Sequence, residues 1–175
     1  MIAKKFLGAK LLEGVEMLKN IAIFGLFSMI FIASAVAETF RVADGDSLEI
    51  GNRRIRLDGI DAPEFMQVCI NSRGEEYFCG QQSWEFLRET IGDKIPNCVC
   101  LAEPDKYNRE ICECYVGEIC LNEYMVLNGW AESYHSEKYA KAEEEAKQKK
   151  RGIWQGKHMR PALYRILNRY ERQKN

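Results

Sequence analysis

The chain has 175 residues, of which 46% are hydrophobic and 29% charged, with a formal net charge of −1. That length holds one domain with terminal extensions and is enough to bury a real core. The composition argues against a disordered or fibrous chain, and no repeat or low-complexity tract points to a solenoid.

Residues 21–37, IAIFGLFSMIFIASAVA, are apolar or small, follow Lys19 and end in Ala35-Val36-Ala37. That ending is the small-x-small pattern that gives a signal peptidase access to the backbone. Residues 1–37 are therefore expected to be a signal peptide, with the mature chain starting at Glu38 and meeting the membrane only during export. The leader is long and contains Glu13 and Glu16, so a start at Met17 would make it more compact. An uncleaved anchor is the alternative, since this stretch sits at the lower limit of a helical span of roughly 17–25 residues. An Ala-x-Ala end serves no purpose in an anchor, which favours cleavage and a periplasmic or secreted location.

All seven cysteines lie beyond Ala37, a density that fits an oxidising compartment. A zinc site is the rival reading. The Cys-x-Cys pairs lack the two-residue gap that lets both thiolates grip one ion, and His135 and His158 are remote in sequence. Disulfides are favoured, and an odd count leaves at least one thiol over.

Charge is uneven. Without the four lysines and two glutamates of residues 1–37, 21 basic and 24 acidic residues remain, a net of −3. Lys147 to Asn175 holds ten basic residues and one acidic residue, so residues 38–146 carry −12. A broadly basic surface for tight nucleic-acid binding is absent. The basic tail at 157–175 is read first as a solvated helix face, with phosphate contact as a second role.

In chain order, Thr39 to Asp58 predicts two strands around the Asp44-Gly45 turn, with Phe40, Val42, Leu48 and Ile50 alternating with polar residues. Ile55, Leu57 and Ile60 continue the pattern up to Pro63. Residues 65–80 read as a loop with a cysteine near each end. Trp84, Leu87 and Ile91 have helical spacing, and Gly92 is a natural stop. Residues 95–102 and 109–116 predict a hairpin turning at Pro104-Asp105. Asn122 is expected to cap a short helix that ends at Gly129, and a last helix runs from about Ser136 to Arg151 with Tyr139, Ala142 and Ala146 on one face. Trp84, Trp130 and Trp154 are read as core, and Tyr134 and Tyr139 as core or helix-face residues. Five short strands with interleaved helices suit a small closed barrel of the OB type.

The residues that bear chemistry are Asp44, Asp46, Arg56, Asp58, Asp61, Glu64 and Arg109, gathered near predicted strand ends. Hydrolysing a phosphodiester needs a hard divalent cation, a group to activate water, and positive charge on the developing oxyanion. Carboxylates with a backbone carbonyl suit calcium, glutamate serves as a base, and arginine forks two bonds onto phosphate oxygens. Taken singly, each piece has a plainer meaning. Asp-Gly is commonly only a turn, and Asp-Ala-Pro-Glu only a loop. Composition and spacing do not select phosphodiesters.

The stretches V-A-D-G-D-S-L, R-I-R-L-D-G-I-D-A-P-E, D-K-Y-N-R, L-N-x-x-M-V-L-N-G-W-A and A-E-x-x-A…R-G-I-W match, in order and spacing, those of the staphylococcal nuclease family. The chain resembles that family over residues 39–155. The resemblance implies an α+β, five-stranded OB-type β-barrel with about three packed helices, here assigned to residues 38–156. It implies calcium-dependent cleavage of DNA and RNA with little sequence preference. Asp46 and Asp61 fall on carboxylate ligands of calcium, and Ala62 on a carbonyl ligand. Arg56 and Arg109 fall on phosphate-binding arginines, Glu64 on the general base, Asp44 on a carboxylate behind the metal and Tyr107 on an active-site tyrosine. Asn108 departs from the usual glycine, but asparagine tolerates left-handed backbone angles. A monomer is expected.

Exported relatives also resemble the chain in pairing a cysteine near Cys69 with one before a glycine, here Cys79-Gly80. On the hairpin, one register pairs Cys100 with Cys112 and Cys98 with Cys114, and another places Cys100 near Cys114; Cys120 is the candidate odd thiol. Two other readings stand beside the enzyme: a catalytically silent nucleic-acid-binding OB module, and a disulfide-stapled envelope interaction protein.

Overall fold

Alternating apolar residues from Phe40 to Leu57 build an antiparallel meander of β1 (Phe40–Asp44), β2 (Ser47–Ile50) and β3 (Arg53–Leu57). Val42, Leu48, Ile50, Ile55 and Leu57 enter one core, as a period of two requires. The computed structural model describes residues 39–101, 103–135 and 137–174. The leader at residues 1–37 lies outside them, and among the described residues no helix is long and apolar enough to cross a membrane.

After β4 (Ile60–Asp61), a small hairpin of β5 (Cys69–Ile70) and β6 (Glu76–Tyr77) leads into α1 (Cys79–Ile91), which stops at Gly92. The hairpin was read from the sequence only as a loop. Next, β7 (Asn97–Cys100) and β8 (Glu110–Val116) pair antiparallel, and β8 also runs parallel to β3. The chain continues through β9 (Ile119–Cys120), α2 (Leu121–Leu127), β10 (Glu132–Ser133), α3 (Ala140–Gln148), a 3-10 turn (Gly152–Gln155) and α4 (Pro161–Lys174).

The main sheet has the order β1-β2-β3-β8-β7, with β9 beside β8. This is the expected α+β, OB-like architecture, but the hydrogen-bonded ladder from β1 to β7 is not closed into a barrel. Closure is a long-range pairing, and no local pattern specifies it. The helix α3 is shorter than the span of 136–151 read above. Tyr139, Ala142 and Ala146 are nonetheless all buried. The segment read as a basic tail carries a fourth helix.

The β7–β8 register resolves the cysteine alternatives. Cys98 faces Cys114 and Cys100 faces Cys112, and each facing pair is bonded. Cys69 bonds Cys79, and Cys120 keeps its thiol, 3.5 Å from Glu113 Oε1. Asn122 is not the cap of α2, because Cys120 takes that place. Its fully buried amide accepts from Cys114 N at 3.0 Å and donates to Asp58 O at 2.9 Å and Cys112 O at 3.1 Å. It thus fastens α2 to β8 and to the end of β3. Cys112 O keeps its bond from Asp58 N, so Asn122→Ala would leave chiefly the buried Cys114 N–H unpaired, at about 1–3 kcal/mol for an unsatisfied group. Urea unfolding of the oxidised protein is expected to show a lower midpoint at unchanged slope, with the unfolding free energy reduced by at least about 1 kcal/mol.

Candidate active site

The Asp44-Gly45 turn read from the sequence presses directly on Ala62 and α1. A Cβ on Gly45 would lie 2.8 Å from Ala62 Cβ and 2.1 Å from Ser83 Oγ, so only glycine permits the approach. The contact brings Asp46 against residue 62, whose N–H donates to Asp46 Oδ2 at 2.8 Å; Ser47 Oγ donates to Oδ1 at 2.9 Å. Asp46 is 4% exposed, and Asp61, on β4, 1%. Between them lies Arg56 of β3. It forms an ion pair with Asp46, donates from Nη2 to Asp61 Oδ1 at 2.9 Å and reaches Ile60 O at 3.0 Å.

Glu64 follows Pro63 on a segment clamped from two sides. A Cβ on Gly80 would stand 1.7 Å from Glu64 O, so α1 comes up against this backbone only because residue 80 is glycine. Gln67, fully buried, accepts from Glu64 N at 3.3 Å and donates to Met159 O at 2.6 Å. The Cys69–Cys79 bond ties the same segment to the start of α1. Glu64 therefore projects from a braced backbone.

The third part is the turn between β7 and β8. Asp105 Oδ1 accepts from Tyr107 N and Arg109 N, both at 2.9 Å, and Oδ2 accepts from Arg109 Nε at 2.9 Å and Nη2 at 2.7 Å. Asn108 takes φ 58°, the left-handed angle expected of it. Tyr107 is half-exposed, with the Arg109 guanidinium 5.5 Å from its ring centre.

These parts line one cleft of about 1000 Å³, whose wall includes Asp46, Arg56, Glu64, Tyr107 and Arg109. Asp61 lies beneath. Tyr134, read as core or helix face, lines the cleft instead. Trp84 and Trp130 pack partly exposed around the core rather than inside it.

Arg165 is a further member of the site that none of the sequence motifs contains. From α4 its Nη2 donates to both oxygens of Asp61 at 2.9 Å, and its Nη1 to Glu64 Oε1 at 2.9 Å. Burial works against its charge, but these carboxylate bonds outweigh it and raise its pKa. The approach to α4 is pinned by Glu132, which pairs in register with Asp61 and binds His158 Nε2 and Arg160 Nε, each at 2.9 Å. Gln67 has no sequence signal, and Asp105 is visible there only as a turn residue and the first of D-K-Y-N-R, without its hold on Arg109. The Pro104-Asp105 turn was visible, and an Asp two residues before a turn residue is a known backbone acceptor. No local signal marked Arg165 beyond its place in a basic run.

The donor set suits a hard divalent cation. Asp44, Asp46, Asp61 and Glu64 offer only oxygen ligands, as calcium prefers, and they face the two guanidiniums of Arg56 and Arg165. The surplus of negative charge is felt by Asp44. Its pKa rises to about 6, through burial first and the nearby Glu64 charge second, against Gly45 N–H, Arg56 and Arg165. A second cluster, Cys100, Glu110 and Cys112, does not compete, because its two sulfurs are bonded to each other.

A family profile described as staphylococcal nuclease homologue matches residues 54–156. The chain belongs to the staphylococcal nuclease family. A succinoglycan biosynthesis protein, ExoI, of Rhizobium meliloti (strain 1021) is 33% identical over 117 residues, 65% of this chain and 61% of that protein. An uncharacterized endonuclease of Escherichia coli O157:H7 is 31% identical over 123 residues, 65% of this chain and 73% of its own length. A probable staphylococcal-like nuclease of Oryza sativa subsp. japonica is 33% identical over 108 residues, 57% of this chain and 19% of that protein. The matched span of this staphylococcal nuclease homologue begins in β3 and ends before α4.

A carboxyl whose folded pKa is raised opposes folding once it ionises. The Asp44 penalty is absent below the ordinary value of 3.8 and complete above about 6. In chelator, Asp44→Asn is expected to remove a fall in stability between those limits. Thermal unfolding across that range checks this; parallel pH profiles for the two proteins would contradict it.

Proposed function

We propose that this chain is an exported, calcium-dependent nuclease that hydrolyses phosphodiester bonds of DNA and RNA. The observation that carries the reading is the convergence of Asp46, Arg56, Glu64 and Arg109 on one cleft, with Asp61 directly beneath. Membership of the nuclease family and the endonuclease names of relatives support it.

Asp46 and Asp61, with the Ala62 carbonyl, are the residues that would hold calcium. When bound, calcium would supply Lewis-acid polarisation of a phosphoryl oxygen. Glu64 would take the proton of the attacking water. Arg56 and Arg109, which both line the cleft, would fork onto the phosphate oxygens that gain charge. Asp105 holds the Arg109 fork in place before substrate arrives, which lowers the cost of ordering it. Recognition through phosphate rather than base edges accounts for the weak sequence preference expected. Three disulfides would suit an exported protein, and processing after Ala37 is proposed on the sequence pattern.

Cleavage of single- and double-stranded DNA and of RNA, with calcium or chelator, tests the reading. Chelator is expected to abolish cleavage. Glu64→Gln should lower the rate by about 10²–10⁴ and Arg109→Ala by about 10²–10³. Wild-type rates in both variants would contradict the catalytic assignment, whereas binding without cleavage would favour a catalytically silent OB module.

A further inference from the structure

The helix α4 lies beyond the matched family span, yet Ala162, Arg165, Ile166 and Arg169 line the catalytic cleft. Arg165, Arg169 and Arg172 recur at i, i+4 and i+7, which sets them on one helical face. Arg165 already stands at the cleft floor, fixed by Asp61 and Glu64. Arg169 is about 6 Å further along the axis and Arg172 about 10 Å, at 1.5 Å per residue.

Arg165 is paired at the cleft floor, and what sets apart the unpaired cations beyond it is their place on or beside the cleft, since Lys94, Lys141 and Lys157 elsewhere have no carboxylate partner among the described residues either. Away from the cleft, Arg41, Arg53, Arg73, Lys147 and Lys149 each bind a carboxylate. Among the described residues no carboxylate pairs with Arg169 or Arg172, nor with Arg54 and Lys106, which also line the cleft. Exposed like charges gathered along one side of a cleft repel one another, and an anion that joins them relieves that repulsion. The anion must also overcome a cleft floor that holds four carboxylates. Cations on the rim offset that repulsion for the parts of a polyanion that flank the floor.

We propose that α4 is a phosphate-binding face on which Arg165, Arg169 and Arg172 hold successive phosphates flanking the scissile one. The substrate strand then runs from the Lys106–Tyr107 turn across the carboxylates and along the helix. This rests on the nuclease reading and adds a binding surface to the same site. It also explains how a domain with an acidic main body holds a polyanion, because the basic residues of the tail are brought to the one place where phosphate must pass.

Binding of a short fluorescent oligothymidylate in chelator, followed by anisotropy over a range of salt, tests the proposal. Each phosphate contact on a single strand contributes about 0.7 to the slope of log affinity against log salt. Arg169→Gln with Arg172→Gln is expected to lower the slope by about 1.4 by that relation. Both residues are exposed, and circular dichroism would check that the variant keeps its helix content. Lys141→Gln, on the exposed side of α3, is expected to leave the slope unchanged. An unchanged slope in the double variant, or an equal fall in the Lys141 variant, would overturn the proposal. Cleavage by the wild type with calcium is scored separately. A nuclease whose slope ignores α4 sinks the proposal alone, and a strand bound along α4 but never cut sinks only the nuclease reading.

Discussion

Asp46 and Asp61, almost wholly withdrawn from water around the single guanidinium of Arg56, constrain the rest of the structure. A carboxylate taken out of water without a partner costs several kcal/mol, so the strands carrying these three residues have little freedom relative to one another. Ser47 pairs with Arg56 across β2 and β3, which sets Asp46 beside that arginine. β4 supplies Asp61 and is held at its far side by β10. Gly45 and Gly80 are the points where this arrangement demands the absence of a side chain, one under Asp46 and one under Glu64. The cluster keeps more negative charge than two arginines neutralise. That surplus destabilises the protein on its own, and a bound divalent cation would offset it.

The C-terminal helix answers the same imbalance from the other side. Arg165 satisfies three of the carboxylate oxygens at the cleft floor, and the segment before it is locked by buried Gln67 and Glu132. The helix is thereby coupled to Asp61 and Glu64 and is more than a solvated appendage. Arg56 and Arg165 already share the oxygens of Asp61, so a cation that claimed this carboxylate would compete with both.

Much of the site was legible because its residues sit in contiguous stretches. Asp44 to Ser47 and Arg56 to Glu64 each encode a strand end and its chemistry together, and Asn108 announced its left-handed turn. Local pattern also found the core face of β1 to β3 and the stop at Gly92. What stayed hidden depends on distance in the sequence. Arg165 reaches Asp61 across a separation of 104 residues, and nothing within α4 identifies that partner. Asn122 looks like a cap because its type suits one, but three backbone groups of β8 and Asp58 claim its amide. The cysteine register was undecidable by alternation alone, since both pairings keep side chains on one face; β7–β8 hydrogen bonding decides it. Closure of the sheet is a property of its two edges and has no local signature.

Calcium titration by calorimetry on the oxidised protein, without substrate, tests the central claim most directly. The account predicts one site in the wild type, lost in Asp46→Asn and Asp61→Asn and kept in Asp105→Asn, whose carboxylate serves Arg109 instead. Undiminished binding in the first two variants, or its loss in the third alone, would contradict a metal centre at the floor of this cleft.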